Sequence, residues 1–442
     1  MIRQFFIALS AICMLSCNAA TEPTDQRVSN LIEQEDWFTL DTEYVSLRPH
    51  IKDTGVRLTA DAMLSYLQNN PRKSIAYLDT LLTRQFYRKN REPYYRLSML
   101  KCRMLNTIGR YCEATILLGE MTRLRKAEGA HEQDWKPLEA FQAQNKSLDH
   151  LPGPALQLPN KDVSIPFTLR SMQAKNQDAW VQKAKKDFKG YLLTVGAHMN
   201  GHPLQMVFDT GASKTFLSEA TAKRLGLHFL PDTITLNGYQ QARRAFVDSL
   251  RVGEITYHNL IVYVGISSLN ELIGTTIDAV LGLDFISAVG ETQILFDQQR
   301  LLFPRKQTPL PASGRNLYLQ NVPYMRVNQG NEHLTMVFDT GDTTGSLYYP
   351  YFDKHRSEIL QSAEKDSIAQ VEYGRVYIRE VYMLPRFNFH LGRTPVNIEQ
   401  VYVDPKPNGW VSTVDGRMGM DLVHRFRKTT INLRSMFISV TP

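Results

Sequence analysis

Met206-Val207-Phe208-Asp209-Thr210-Gly211 recurs letter for letter as Met336-Val337-Phe338-Asp339-Thr340-Gly341. Downstream of each copy lies a second matching element. Ala279-Val280-Leu281-Gly282-Leu283-Asp284-Phe285 follows the first, and Gly416-Arg417-Met418-Gly419-Met420-Asp421-Leu422 follows the second. Each copy closes with a hydrophobic hairpin, Gln293 to Phe303 and Thr429 to Val440. The chain has therefore duplicated a unit of roughly 110 to 130 residues, the size of a small domain.

The chemistry of the repeated motif is specific. An apolar strand delivers an Asp to the centre of a domain. Thr and Gly then turn the chain sharply, with Gly supplying backbone freedom that other residues lack. One such loop places one carboxylate, and two loops brought together by pseudo-two-fold symmetry place two carboxylates side by side. Like charges that close cannot both ionise, so the pair shares a proton. The ionised member takes a proton from water and the neutral one gives a proton to a carbonyl, which is general acid–base hydrolysis without a covalent intermediate.

Two apolar residues before Asp-Thr-Gly, Ala212-Ser213 after it, and a later apolar-apolar-Gly element resemble the retropepsin-like aspartic peptidases. The resemblance covers roughly Val163 to Pro442. It implies a two-lobed acid-protease β-fold, with Asp209 and Asp339 holding the catalytic water. It also implies that Thr210 and Thr340 exchange hydrogen bonds between lobes, that Gly211 and Gly341 shape the loops, and that Gly282 and Gly419 sit in segments packed against them. Retropepsins proper pair two chains; here both motifs are in one chain, so a monomer is expected. A flap closing over the substrate belongs to the family as well. Candidates are Leu236-Asn237-Gly238-Tyr239 and Glu372-Tyr373-Gly374-Arg375, since Asn-Gly and similar pairs suit tight hairpins; ordinary surface hairpins are the alternative. Ser213, Asp342 and Thr343 complete the candidate substrate-side residues.

The two loops diverge after their glycines. Pepsin-type enzymes carry Ser or Thr directly after the Gly, where Ala212 and Asp342 stand here. Loss of a hydroxyl donor and gain of a nearby acid both disfavour ionisation of the pair, so an optimum at mild pH is expected. An inward-turned Asp342 would instead distort the second loop.

The rest of the chain is helical or connecting. Asn70-Pro71 is a helix start, with Asn as cap and Pro at the first position. Ile75, Leu78 and Leu82 follow at helical spacing, with Phe86 a turn further. Further helices are expected from about Pro93 to Asn106 and from near Tyr111. Gly109-Arg110-Tyr111-Cys112-Glu113-Ala114 is similar to the turn and second-helix start of a tetratricopeptide repeat; a generic array of helical hairpins is the alternative. Four prolines between His150 and Pro166 mark a linker. Beyond it short strands dominate, among them Tyr191 to Val195 and Leu260 to Val264.

Arg3 followed by the apolar run Phe5 to Leu15 reads as an export signal, too short to span a bilayer. Met14-Leu15-Ser16-Cys17 resembles the lipobox of bacterial lipoproteins, in which the Cys carries the lipid; a plain secretory signal is the other reading. The expected organisation is a signal peptide over 1–17 with Cys17 lipidated, a tether over 18–27, a helical domain over 28–149, a linker over 150–162, and lobes over 163–306 and 307–442. That places the protein in a bacterial cell envelope. Cys102 and Cys112 remain in the exported body, either bridged or as free thiols.

At 442 residues, 43% hydrophobic and 21% charged, the composition is that of a globular chain. The net charge of +7 is mild, and no nucleic-acid partner is expected. The His residues are scattered, with neither Cys-x-x-Cys nor His-Glu-x-x-His, so no metal site or cofactor is expected. Three functions compete. The first is a peptidase acting on extended peptide or protein substrates. The second is an inactive module that binds them, with the helical domain docking a protein partner. The third is a structural envelope lipoprotein.

Overall fold

A computed structural model describes residues 23–173, 179, 182, 189–236, 240–265, 277–372, 375–407 and 413–442. The signal peptide with Cys17 lies outside the described residues, as do the flap candidates Gly238, Tyr239, Tyr373 and Gly374. Two compact units emerge: Met1–Lys146 with Thr235–Tyr239, and Ser147–Ile234 with Gln240–Pro442.

The first unit is helical: α1 (Thr24–Glu33), α2 (Trp37–Leu47), α3 (Thr54–Leu67), α4 (Pro71–Leu81), α5 (Arg84–Lys89), α6 (Arg91–Thr107), α7 (Tyr111–Ala127) and α8 (Glu132–Lys146). The tether expected over 18–27 ends early, because α1 begins at Thr24. Asp25 explains this: its carboxylate accepts from the Lys52 and Asp53 backbone N–H groups at 2.8 and 3.2 Å, while Val28 and Leu31 are buried. α4 starts as the sequence predicts, with the Asn70 side chain accepting from Lys73 N at 3.2 Å. The pattern reaching Phe86 is not one helix. It breaks after Leu81, and Thr83 caps α5 by accepting from Phe86 N. Ile75, Leu78, Cys102, Leu105, Ala114 and Leu118 share one core. Each large buried side chain there contributes about 1.5–3 kcal/mol, so packing rather than propensity holds these helices. Cys102 is buried and Cys112 exposed, and the two are not bridged to each other.

The second unit is built of strands. In the first lobe these are β1 (Ala155–Gln157), β2 (Val163–Gln173), β3 (Lys189–Met199), β4 (His202–Phe208), β5 (Phe216–Leu217), β6 (His228–Leu236), β7 (Gln240–Val252), β8 (Ile255–Val264), β9 (Ala279–Leu281), β10 (Glu291–Leu295) and β11 (Arg300–Phe303). The second has β12 (Leu317–Leu319), β13 (Pro323–Gln329), β14 (Glu332–Phe338), β15 (Ser346–Leu347), β16 (Glu364–Glu372), β17 (Arg375–Leu391), β18 (Thr394–Val403), β19 (Gly416–Met418), β20 (Lys428–Asn432) and β21 (Phe437–Thr441). β1 falls inside the expected linker and pairs with β8; Ala155-Leu156-Gln157 has no proline to interrupt an edge strand.

Strand order repeats between the lobes: β3-β4-β9-β5-β8-β7-β6 in the first, β13-β14-β19-β15-β18-β17-β16 in the second. The register repeats as well. Met206, Val207 and Phe208 pair in parallel with Ala279, Val280 and Leu281, as Met336, Val337 and Phe338 pair with Gly416, Arg417 and Met418. The closing hairpins merge, since β10 pairs antiparallel with β20 and one hydrogen-bonded path runs β21-β20-β10-β11-β2. Buried between them, the Glu291 carboxylate accepts from Gln293 Nε2, Thr308 N, Thr308 Oγ1 and Asn432 Nδ2 at 2.6–2.8 Å. That network ties the two lobes across their shared sheet.

Candidate active site

β4 and β14 change character along their length. Each alternates between exposed and buried positions, then ends in three consecutive buried residues, Met-Val-Phe. Such a strand begins at a surface and finishes inside the core, so the residue after it is delivered to the interior. That residue is Asp209 in one lobe and Asp339 in the other. Their backbone N–H groups donate to Leu281 O at 3.1 Å and Met418 O at 2.9 Å.

The two loops grip each other. Thr210 N donates to Thr340 Oγ1 and Thr340 N to Thr210 Oγ1, each at 3.0 Å. The hydroxyls donate onward, Thr210 to Phe338 O at 3.0 Å and Thr340 to Phe208 O at 2.9 Å. Both threonines are fully buried. Gly211 and Gly341 are required by crowding: a β-carbon on Gly211 would lie 2.2 Å from Asp339 Oδ1, and one on Gly341 2.5 Å from Asp209 Oδ2. The glycines of the downstream elements close the loops from behind. A β-carbon on Gly419 would fall 1.9 Å from Asp339 O, and one on Gly282 2.4 Å from Lys214 O.

The carboxyls of Asp209 and Asp339 lie within hydrogen-bonding reach of each other. Both residues are half-buried. Asp209 Oδ1 accepts from Gly211 N at 2.7 Å and Ala212 N at 3.2 Å. Burial, then the charge of Asp339, push the Asp209 carboxyl well above the usual range, and those two backbone donors only partly oppose this. The missing hydroxyl at Ala212 is thus partly replaced by that residue's own N–H.

Asp342 does not stand alone, as its sequence position implied. Arg417 Nη1 donates to Asp339 Oδ2 at 3.1 Å, and its Nε lies 2.9 Å from Asp342 Oδ2. The second of these is a charge contact whose angle is poor for a hydrogen bond, because Nε has no partner by geometry. Burial and Asp339 raise the Asp342 carboxyl, while Arg417 opposes them. Burial also opposes the charge on Arg417, yet Tyr348, Asp342 and Asp339 outweigh it. Tyr348 is buried with its hydroxyl unpartnered among the described residues, and burial pushes that hydroxyl up to about 12. Sequence reading passed over Arg417. The signal was present, since it aligns with Val280 and is the one charge in β19, whose counterpart β9 is apolar throughout.

Further back, Asp284 and Asp421 occupy matching positions. Asp284 accepts from Thr215 N at 2.9 Å and Thr215 Oγ1 at 2.7 Å. In the second lobe Gly345 replaces that threonine; Asp421 Oδ1 accepts from Gly419 N at 2.8 Å, and its Oδ2 has no partner among the described residues. Burial pushes the Asp421 carboxyl up to about 6.

Of the remaining candidates, Ser213 is exposed in the first loop and Thr343 half-buried in the second. Thr343 packs on Gly190 of β3, where a β-carbon would lie 2.6 Å from its Oγ1. β16 and β17 pair as far as Glu372 and Arg375, the residues flanking Tyr373 and Gly374.

Residues 195–285 match the family model described as aspartyl protease. An uncharacterized Sinorhizobium protein is 29% identical over 122 residues, covering 26% of this chain and 49% of its own length. The chain thus spans about half the length of the curated relative it matches. The crystal structure of a retropepsin-like aspartic protease from Rickettsia conorii aligns at 18% identity, over 34% of this chain and 92% of that one, with a TM-score of 0.21. At that score the superposition adds nothing to the register described above. The family match spans the first Asp-Thr-Gly loop and the element packed behind it, and the second lobe repeats that loop.

Proposed function

We propose that this protein is an aspartic endopeptidase whose Asp209 and Asp339 activate a water for peptide-bond hydrolysis. The observation that carries the reading is the abutting pair of carboxyls on two reciprocally bonded Asp-Thr-Gly loops. Water loses a proton to the ionised carboxylate while its oxygen bonds to the amide carbon, and the neutral carboxyl protonates the carbonyl oxygen. As the resulting diol collapses and the carbon–nitrogen bond breaks, one hydroxyl gives its proton to the ionised carboxylate and the departing nitrogen takes the proton of the neutral carboxyl. Equal strand order and register in the lobes support a pseudo-two-fold axis between the loops. With both loops in one chain, the active form is a monomer. Substrates of this site are extended peptides, whose backbone a strand-lined site can read.

The reading extends to the chain as a whole. Met14-Leu15-Ser16-Cys17 supports a lipid anchor at Cys17 in a bacterial envelope membrane, with the helical unit as a tetratricopeptide-like docking domain for a protein partner. A second reading, a weak or inactive peptide-binding module, draws on the guanidinium lodged against Asp339. Cleavage of a peptide library by the purified soluble body across pH decides between them. Cleavage is expected, and Asp209→Asn and Asp339→Asn should each lower kcat/KM by at least about a thousandfold, roughly 4 kcal/mol. Full activity in either variant refutes the dyad. Binding without cleavage at any pH selects the second reading.

A further inference from the structure

The lobes agree in register but not in what they place beside the dyad. In the first, Val280 pairs with Phe216 across β9 and β5, in an apolar cluster with Met172, Leu192 and Val207. In the second, the matching pair is Arg417 and Ser346. Serine leaves the room that phenylalanine fills, and the guanidinium extends to the carboxylates. Asp342 likewise replaces Ala212, so the acid and the base come together as a pair in one lobe only.

This alters the two dyad residues differently. Asp209 receives two neutral backbone donors, both on Oδ1. Its Oδ2 faces Gly341 and the opposite carboxyl, with no backbone donor among the described residues. Asp339 receives one backbone donor on Oδ1, from Gly341 N at 2.9 Å, and a guanidinium on Oδ2 at 3.1 Å. A charge-assisted bond is about twice as strong as a neutral one, and it favours the ionised acceptor. A guanidinium keeps its proton throughout the working pH range, so the bias is constant.

We propose that Arg417 is a positioning residue that makes the dyad unsymmetrical, holding Asp339 as the carboxylate that deprotonates water and leaving the shared proton on Asp209 Oδ2 as the acid that protonates the carbonyl oxygen. The roles follow from charge placement; their use in hydrolysis rests on the peptidase reading above. The raised titration of the Asp209 carboxyl agrees with the assignment. Among the described residues, Asp342 in the second loop and Tyr348 after β15 act on Asp339, while Arg379 from β17 and Asp421 behind Gly419 act on Asp342. Arg379 is itself paired with Asp404, which leaves Arg417 as the cation in contact with the dyad among the described residues.

The test compares R417M, R417K and the double variant D342A/R417M, which gives the second lobe the neutral surroundings of the first. Removing a cation in contact with a carboxylate raises the pair's first proton loss by about 1–3 pH units. R417M should therefore move the acid limb of kcat/KM upward by at least one unit, and R417K should keep it within half a unit of wild type. The double variant, which leaves no unpaired Asp342, should move the same way by less. In parallel, carbon-13 titration of labelled aspartate carboxyls, assigned through D209N and D339N, should place the last-leaving proton on Asp209. An acid limb and titration unchanged in both R417M and the double variant overturn the proposal, as does a last-leaving proton on Asp339. Shifted carboxyl titrations in a protein that cleaves no peptide leave the charge assignment standing and sink the peptidase reading instead.

Discussion

Thr340→Val isolates what the loop grip contributes. Valine matches threonine in shape, so packing is kept while one hydroxyl is lost. That hydroxyl accepts from Thr210 N at 3.0 Å and donates to Phe208 O at 2.9 Å, both in the fully buried centre. Each buried backbone group left without a partner costs about 1–3 kcal/mol, so the variant should lose roughly 2–6 kcal/mol. Against a total stability of about 5–15 kcal/mol that is a large fraction. For a unit of this size each kcal/mol lowers Tm by about 2–4 °C. Thermal and urea unfolding should therefore show a drop of at least about 4 °C, with Thr340→Ser staying near wild type because it keeps the oxygen. Cleavage should fall together with stability, since the same bonds set the spacing of the carboxyls. A Thr340→Val protein within 1 °C of wild type, or a serine variant as damaged as the valine one, would refute the reasoning.

Two further outcomes follow from the same geometry. Glu291→Gln turns one acceptor oxygen into an amide donor that faces two donors already in place, so it should cost about 2–5 kcal/mol in urea unfolding; no loss would remove Glu291 from the lobe junction. Asp421 has a folded-state pKa of about 6, above the unfolded value of about 3.9. The folded state then binds its proton more tightly, and stability falls as pH rises from about 4 through 6. Asp421→Asn should remove that fall, gaining up to about 3 kcal/mol at pH 7.5 while matching wild type near pH 4, and equal stability at both pH values would count against a strained buried carboxylate.

Much of the site was legible because it is written twice. The hexapeptide at 206–211 and 336–341 fixes two strand-to-loop transitions, and the glycines at 282 and 419 mark where a second segment must pass close behind. Apolar runs and repeated glycines are local signals, although what crowds those glycines, Lys214 O at Gly282 and Asp339 O at Gly419, lies far off in the chain. Arg417 was different. Its meaning comes from lying beside Val337 and opposite Ser346, pairings set by residues about 70 to 80 positions away that no local pattern encodes. The helix starting at Thr24 and the edge strand at 155–157 escaped for a related reason. A polar or proline-rich stretch is ordered there by partners elsewhere, Lys52 and Asp53 in one case and β8 in the other.

The chain between β11 and β12 joins both Asp-Thr-Gly loops covalently while the merged hairpins pair their lobes, and this changes which substitutions the site can tolerate. In an assembly of two identical subunits every residue on the axis occurs twice. An arginine at the position of Arg417 would then bring a twin, and both carboxylates would be clamped by guanidinium with no proton donor left. Within one chain the two halves drift apart freely, and a change that would disable a matched pair can be carried on one side alone. The valine at 280 and the arginine at 417 record that freedom: duplication supplied the geometry of a pair, and fusion allowed its members to specialise.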